Sequence, residues 1–251
     1  MKRSAALLLT LLVASSTLLE AEFAYPQRTS HSFTRTFPYS LVGQLEFDSG
    51  RRTYIGTGTV IRAKSVLTAA HNLYDVNKGW STDILFRRGQ HGDEAISESR
   101  PNRLFVLGGY QSKVAYYGGD SVRALANDTG GLRFSTPVAN GAYAGWSTDL
   151  SLLTSGAYNV ALGYGAEFGH SGDDLLYVEA TESFYRTFGA FYENESIYVE
   201  RGMSGGPVFA IDDDGELYLC ATIVASADDP IAGGIRVFDR KVADLIRNYL
   251  R

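Results

Sequence analysis

The stretch Arg201-Gly202-Met203-Ser204-Gly205-Gly206-Pro207 limits what this chain can be more than any other. Three glycines and a proline within seven residues call for a tight turn, and the apolar run Val208-Phe209-Ala210 that follows reads as a strand in a barrel wall. Such a turn lifts one hydroxyl, that of Ser204, out of the wall. A serine hydroxyl is a weak nucleophile near neutral pH. It becomes effective only beside a base, and the base must be oriented by a third group.

A base is available. Thr68-Ala69-Ala70-His71, directly after Ser65-Val66-Leu67, sets a histidine at a strand end, 133 positions before Ser204. In this order the two segments resemble the signatures of the trypsin-like (chymotrypsin-fold) serine peptidases, T-A-A-H and a later G-x-S-G-G-P. The nearer likeness is to disulfide-free, bacterial-type secreted members. The resemblance covers roughly Phe37 to Leu250. It implies an all-β fold of two six-stranded antiparallel β-barrels with a C-terminal α-helix. It also implies the Ser-His-Asp chemistry for which this family is the standard template: Ser204 attacks a peptide carbonyl, and His71 takes and returns the proton. The N–H groups of Gly202 and Ser204 then hold the oxyanion.

The third member must be a carboxylate that accepts the histidine Nδ1 proton. Two segments compete. Asp149-Leu150-Ser151-Leu152-Leu153 has the local form of an aspartate entering an apolar strand. Asp128, with Thr129-Gly130-Gly131-Leu132-Arg133-Phe134-Ser135-Thr136-Pro137-Val138 after it, follows a longer family pattern but has glycines where apolar residues are usual. Between this aspartate and the Gly163-Tyr164-Gly165 segment the chain must finish one strand, cross to the second barrel and form another. Asp128 leaves 35 positions to Gly163 and Asp149 only 14. At no more than about 3.3 to 3.6 Å per residue the shorter path is cramped, so the spacing favours Asp128.

The chain also departs from the family pattern. Met203 stands where the trypsin branch has an aspartate that pairs with a freed N-terminus, and no Ile-Val-Gly-Gly start is present, so that activation switch is not expected. Gly56 and Asn72 occupy the positions of a disulfide flanking the histidine. Ungapped register puts the base of the primary specificity pocket at Tyr198 and its wall at Val224-Ala225-Ser226, without a carboxylate at the base. This argues against a preference for Lys or Arg. The Val224 position is commonly polar in the family. Arg236 either approaches the pocket and favours an acidic side chain or is an exposed strand residue, the preferred reading, and His31, His91 and His170, outside any motif, read as solvent-facing.

The 251 residues are 45% hydrophobic and carry Gly 27, Tyr 16 and Phe 13, which suits a turn-rich β protein. A formal net charge of −5 gives no basic footprint for nucleic acid. Met1-Lys2-Arg3 before the apolar Ala5 to Val13 reads as a signal peptide over 1–21, too short for a comfortable membrane span. Residues 22–36 are polar and aperiodic, a pro-segment or flexible lead. The first barrel is expected over 37–138, an inter-barrel connection over 139–157, and the second barrel with the C-terminal helix over 158–251.

Further strands are expected at Asp83 to Arg87, Arg103 to Leu107, Leu175 to Thr181 and Ser196 to Glu200. Val242, Leu245, Ile246 and Tyr249 at helical spacing, with Asp239 as N-cap, close the chain. Cys220 is the only cysteine, so no internal disulfide can form, and its apolar neighbours make it a buried small side chain. Asp212-Asp213-Asp214-Gly215 reads as a hairpin turn rather than a calcium loop. The expectation is a secreted or periplasmic monomer acting on protein or peptide substrates without cofactor or metal. The alternatives are a catalytically impaired barrel kept as a binding module and a serine hydrolase acting on esters.

Overall fold

Alternating apolar residues and a two-residue turn build the longest hairpin near the start of the fold. The computed structural model describes residues 24–250 except 142, 156–157, 181 and 229–230; the expected signal peptide lies outside the described residues. After a short strand β1 (Gln27–Arg28) come β2 (Val42–Ser49) and β3 (Arg52–Arg62), joined at Gly50 and paired from Ser49↔Arg52 to Val42↔Thr59. β4 (Ser65–Thr68) continues the ladder. β5 (Tyr74–Asp75) and β6 (Gly79–Trp80) form a separate small hairpin, and β7 (Thr82–Arg88), β8 (Ser97–Ser99), β9 (Arg103–Val106) and β10 (Gly130–Arg133) complete the first sheet in the order β8-β7-β2-β3-β4-β10-β9.

The second sheet contains β11 (Asn159–Gly163), β12 (Leu176–Ala180), β13 (Tyr185–Phe188), β14 (Phe191–Asn194), β15 (Pro207–Ile211), β16 (Leu217–Asp228) and β17 (Ile231–Val237). Its order is β1-β12-β11-β15-β16-β17-β14-β13, antiparallel throughout. This is the chymotrypsin-like double-barrel architecture. Each hydrogen-bonded sheet has more than six strands because short edge strands, such as β8 and β1, extend it.

Each sheet buries its own apolar face. Leu45, Val60, Leu67 and Phe86 lie in the first core, and Val178, Val208, Ile223 and Ile235 in the second. The C-terminal helix Arg240–Asn248 starts at Asp239, whose carboxylate accepts from the N–H groups of Lys241 and Val242 at 2.9 and 3.1 Å. Its face of Val242, Leu245 and Ile246 packs into the first core, each side chain contributing roughly 1.5–3 kcal/mol of burial. Tyr249, expected on that face, follows the last helical residue; it is exposed, and its ring lies beside that of Phe105, with centroids 5.4 Å apart.

Three expectations need correction. Residues 24–36 are not a free lead. β1 adds a strand to the edge of β12, and Ala24 bridges Ile197, because unpaired backbone at a sheet edge gains by pairing. Ser196 to Glu200 is not a strand: it holds only that single bridge, and Tyr198 N donates to Ala24 O at 3.1 Å. Arg236 is fully buried, since β17 pairs it with Thr222 and Phe191 in the sheet interior. Its guanidinium is held by both Asp239 carboxylate oxygens at 3.0 Å. Between β15 and β16, Asp212 Oδ1 accepts from the N–H groups of Asp214 and Glu216 at 3.0 and 2.8 Å, so backbone donors of the hairpin turn engage this oxygen.

Candidate active site

β4 ends at Thr68, and the chain turns through a single 3-10 turn, Ala70–Asn72, that carries His71 out of the first sheet. Asp128 follows the short helix Val122–Leu125 and precedes β10, which pairs with β4 and so returns the aspartate to the histidine. His71 Nδ1 lies 2.6 Å from Asp128 Oδ2, and the His71 N–H donates to Asp128 Oδ1 at 2.9 Å. The aspartate side chain is 2% exposed and the imidazole 37%, so the carboxylate is sealed while the ring keeps access to solvent. Around it Ala69, Ala126, Phe191 and Val224 form a small apolar cluster. Burial is the largest influence on His71 and works to lower its pKa. The charge and hydrogen bond of Asp128, with the charge of Asp120, outweigh it, so the pKa stands above the ordinary histidine value.

Asp149 is elsewhere. It is exposed, and its Oδ1 accepts from the N–H and hydroxyl of Ser151 at 3.0 and 2.7 Å, starting the short helix Ser151–Thr154. Those two bonds hold its carboxyl below the usual range.

Ser204 sits in the turn before β15, and its backbone is gripped from the first barrel. The Ser204 carbonyl accepts from Thr57 N at 2.8 Å and from Asn72 Nδ2 at 2.9 Å. Thr57 Oγ1 donates to Gly202 O at 2.8 Å and accepts from Tyr164 N at 2.9 Å. Asn72 Nδ2 also reaches Thr68 Oγ1 at 2.9 Å, and that hydroxyl donates to Thr57 O at 2.7 Å. All three first-barrel residues are buried, so this network fixes the turn in a water-poor contact between the barrels.

Glycine is required at 202 by the backbone itself. Its φ is +98°, and a Cβ there would overlap the Tyr164 carbonyl oxygen. At Gly205, φ +87°, a Cβ would meet Thr68 Oγ1 and Thr57 O. Among the described residues the N–H groups of Gly202 and Ser204 donate to no backbone carbonyl. Met203 is buried in the second core and anchors the turn from below.

His71, Asp128, Gly202, Ser204 and Val224 line one cleft of about 520 Å³, together with Asp120. Among the described residues no hydrogen bond joins the Ser204 hydroxyl to the imidazole, although both line the cleft. Tyr198, Ala225 and Ser226, expected to bind substrate beside Val224, do not line this cleft. Tyr198 is buried against the rings of Tyr25 and Phe168, and its hydroxyl donates to Glu167 Oε2 at 3.2 Å. Ser226 is exposed. No motif announced Asp120, because its proximity to His71 depends on how the loop after the helix Tyr110–Tyr117 folds back.

Of the remaining histidines His31 is exposed, as expected, whereas His91 and His170 are partly buried. His31 and His91 stack with ring centroids 5.0 Å apart, and His170 Nδ1 lies 2.7 Å from the buried Glu200 Oε1.

No protein-family model matches the chain. Several solved structures share its fold. The structure of a Glu endopeptidase in complex with MPD has a TM-score of 0.70 at 18% identity, covering 94% of this chain and 100% of that one. The protease Anisep from Arthrobacter nicotinovorans has a TM-score of 0.66 at 17% identity, covering 82% and 94%. The thermostable serine protease AL20 from an extremophilic microorganism has a TM-score of 0.65 at 17% identity over the same shares. The chain thus has the fold of these bacterial-type chymotrypsin-like proteins.

In sequence it is 25% identical over 169 residues to the extracellular metalloprotease of Bacillus subtilis (strain 168), across 64% of this chain and 51% of that protein. It therefore spans about half the length of the curated relative it matches. Among the described residues no group of three or more His, Cys, Asp or Glu side chains is placed to hold a metal ion.

Proposed function

We propose that this chain is a serine endopeptidase, exported by its N-terminal signal and acting through Ser204, His71 and Asp128. One observation carries the reading: a buried carboxylate bonded at 2.6 Å to the Nδ1 side of a histidine that shares a cleft with a serine on a glycine-bordered turn. Asp128 fixes the tautomer that carries hydrogen on Nδ1, which leaves Nε2 as the base. As Ser204 Oγ bonds to the carbonyl carbon of a peptide, its proton passes to His71 Nε2, and the carbonyl π pair becomes an oxyanion facing the Gly202 and Ser204 N–H groups. Collapse of that intermediate breaks the C–N bond, and the imidazolium proton leaves with the amine. Water then repeats the sequence on the acyl-enzyme: its proton goes to His71 and returns to Ser204 as the acid departs.

The fold shared with proteins described as proteases supports a peptidase over a general esterase, and the free imidazole edge supports an enzyme over a binding module. Among the described residues no helix is long and apolar enough to cross a membrane. Fluorophosphonate labelling beside casein hydrolysis tests the reading. A folded protein that neither labels nor cleaves would instead be a binding module; labelling with hydrolysis of esters only would make it an esterase.

A further inference from the structure

A carboxylate sealed inside a protein without a function to perform is costly, because its desolvation must be offset by well-placed partners. Glu200 is such a group. It stands four residues before Ser204 with its side chain 1% exposed. Its Oε1 lies 2.7 Å from His170 Nδ1, and its Oε2 accepts from the Glu167 N–H at 3.0 Å. Both partners belong to the loop after β11, so the carboxylate binds that loop to the turn carrying Gly202.

Further bonds run along the same seam. The Glu200 carbonyl accepts from Met203 N at 3.0 Å, closing the turn around Arg201 and Gly202. Ala166 N donates to Arg201 O at 2.9 Å, and Arg201 N donates to Glu167 Oε2 at 3.1 Å. The far end of the loop is tied to the first barrel, where Gln44 Nε2 donates to Gly172 O at 2.8 Å. Gly202, in a left-handed conformation, loses more freedom on ordering than any other residue type would, so the direction of its N–H depends on what holds the turn at either side. Thr57 holds the Gly202 carbonyl from the first barrel. The opposite side is held by Glu200.

We infer that Glu200 and His170 are positioning residues for the oxyanion turn: their buried pair fixes residues 200–203 so that the Gly202 N–H is aimed before substrate arrives. Preorganised donors are effective because no reorganisation is needed as charge develops. The pair is internal to the folded chain and uses no newly freed N-terminus, in keeping with Met203 at the position where the trypsin branch has the aspartate that meets one. This inference rests on the serine-peptidase reading.

The test uses the full mature chain as wild type, Glu200→Gln, His170→Gln and the double variant. Glu200→Gln keeps the side-chain volume, and His170→Gln alters the partner at the rim, 16% exposed, where folding is least disturbed. Fluorophosphonate inactivation rate is measured per folded molecule, with kcat and KM on labelled casein and the melting temperature in parallel. Each single variant should lower the inactivation rate and kcat about tenfold or more, a part of the hundredfold or greater loss caused by removing an oxyanion donor outright. KM should stay within about threefold, and the double variant should be no worse than the poorer single, as for groups acting as a unit. Variants that melt earlier but react and turn over at the wild-type rate per folded molecule would overturn the positioning role. A wild type that does not react at all would refute the serine-peptidase reading itself, a separate failure.

Discussion

The side-chain amide of Asn72 donates to the backbone carbonyl of Ser204 at 2.9 Å, linking the residue after the proposed base to the proposed nucleophile across the two barrels. The same nitrogen bonds Thr68 Oγ1 at 2.9 Å, and a Cβ on residue 56 would collide with this amide. The positions that the family resemblance pairs as a disulfide thus hold a glycine and an asparagine, and the asparagine amide passes close over the glycine to bond Thr68 and Ser204.

Replacing Asn72 by Ala removes one of the two donors to the Ser204 carbonyl and opens space beside Gly56. The Ser204 carbonyl keeps its bond from Thr57 N and Thr68 Oγ1 keeps its bond to Thr57 O, so neither partner is stranded, and each of the two bonds lost costs about 0.5–1.5 kcal/mol in denaturant-measured stability. A fall in kcat larger than the rise in KM should accompany it, read on casein or a peptide substrate. Unchanged kcat in the folded variant would mean that Thr57 N alone fixes the serine.

Gly202→Ala should fold poorly or act slowly, because φ +98° and the Tyr164 carbonyl leave no room for a Cβ. Displacing that N–H should reduce kcat about a hundredfold or more. The fluorophosphonate inactivation rate should fall in parallel, since the phosphonyl oxygen uses the same donors.

His71 must be neutral to act as a base, so kcat/KM should fall as pH drops through its pKa. That pKa stands above the ordinary histidine value, since the charges of Asp128 and Asp120 outweigh the opposing effect of burial. Asp120→Asn removes one of these charges and should move the acid limb of the kcat/KM profile to lower pH, with little change in its plateau. The linked stability follows the same sign. A group whose pKa is raised on folding stabilises most below its unfolded pKa, and that contribution is lost as pH rises through the folded value.

Much of the fold was legible because it is local. The hairpin of β2 and β3, the strand ending at Thr68 and the helix capped by Asp239 all follow from alternation, turn residues and capping within a few positions. His71 and Ser204 are announced by short segments of their own, whereas Asp128 could be preferred over Asp149 only through the length of chain needed to cross between barrels.

The remainder depends on contacts far apart in sequence. Arg236 is buried because its register sets it opposite Thr222, which no strand pattern reveals. Likewise His170 and Glu200 are 30 residues apart and meet only through the folding of one loop onto one turn. The lead segment reads as polar and aperiodic, yet its backbone pairs with the edge of β12 regardless of side-chain pattern.

Cys220 is buried, and burial pushes its thiol up to about 12. A thiol with so little thiolate near neutral pH is a poor nucleophile. Iodoacetamide should therefore leave both the native thiol and casein hydrolysis unaffected, with alkylation appearing only after denaturation; loss of activity on treatment of the folded protein would place Cys220 in the chemistry.

In the proposed mechanism Ser204 is activated by His71 held on Asp128. The most direct measurement is the rate of fluorophosphonate labelling for wild type, Ser204→Ala, Asp128→Asn and Asp149→Asn, all checked for native folding. The account predicts no labelling of Ser204→Ala and a loss of about ten-thousandfold in turnover for Asp128→Asn, the scale of that substitution in the template triad, with labelling strongly slowed alongside it. Asp149→Asn, which alters only an exposed helix start, should label and cleave casein as wild type does. Full reactivity in Asp128→Asn, or its loss in Asp149→Asn, would contradict it.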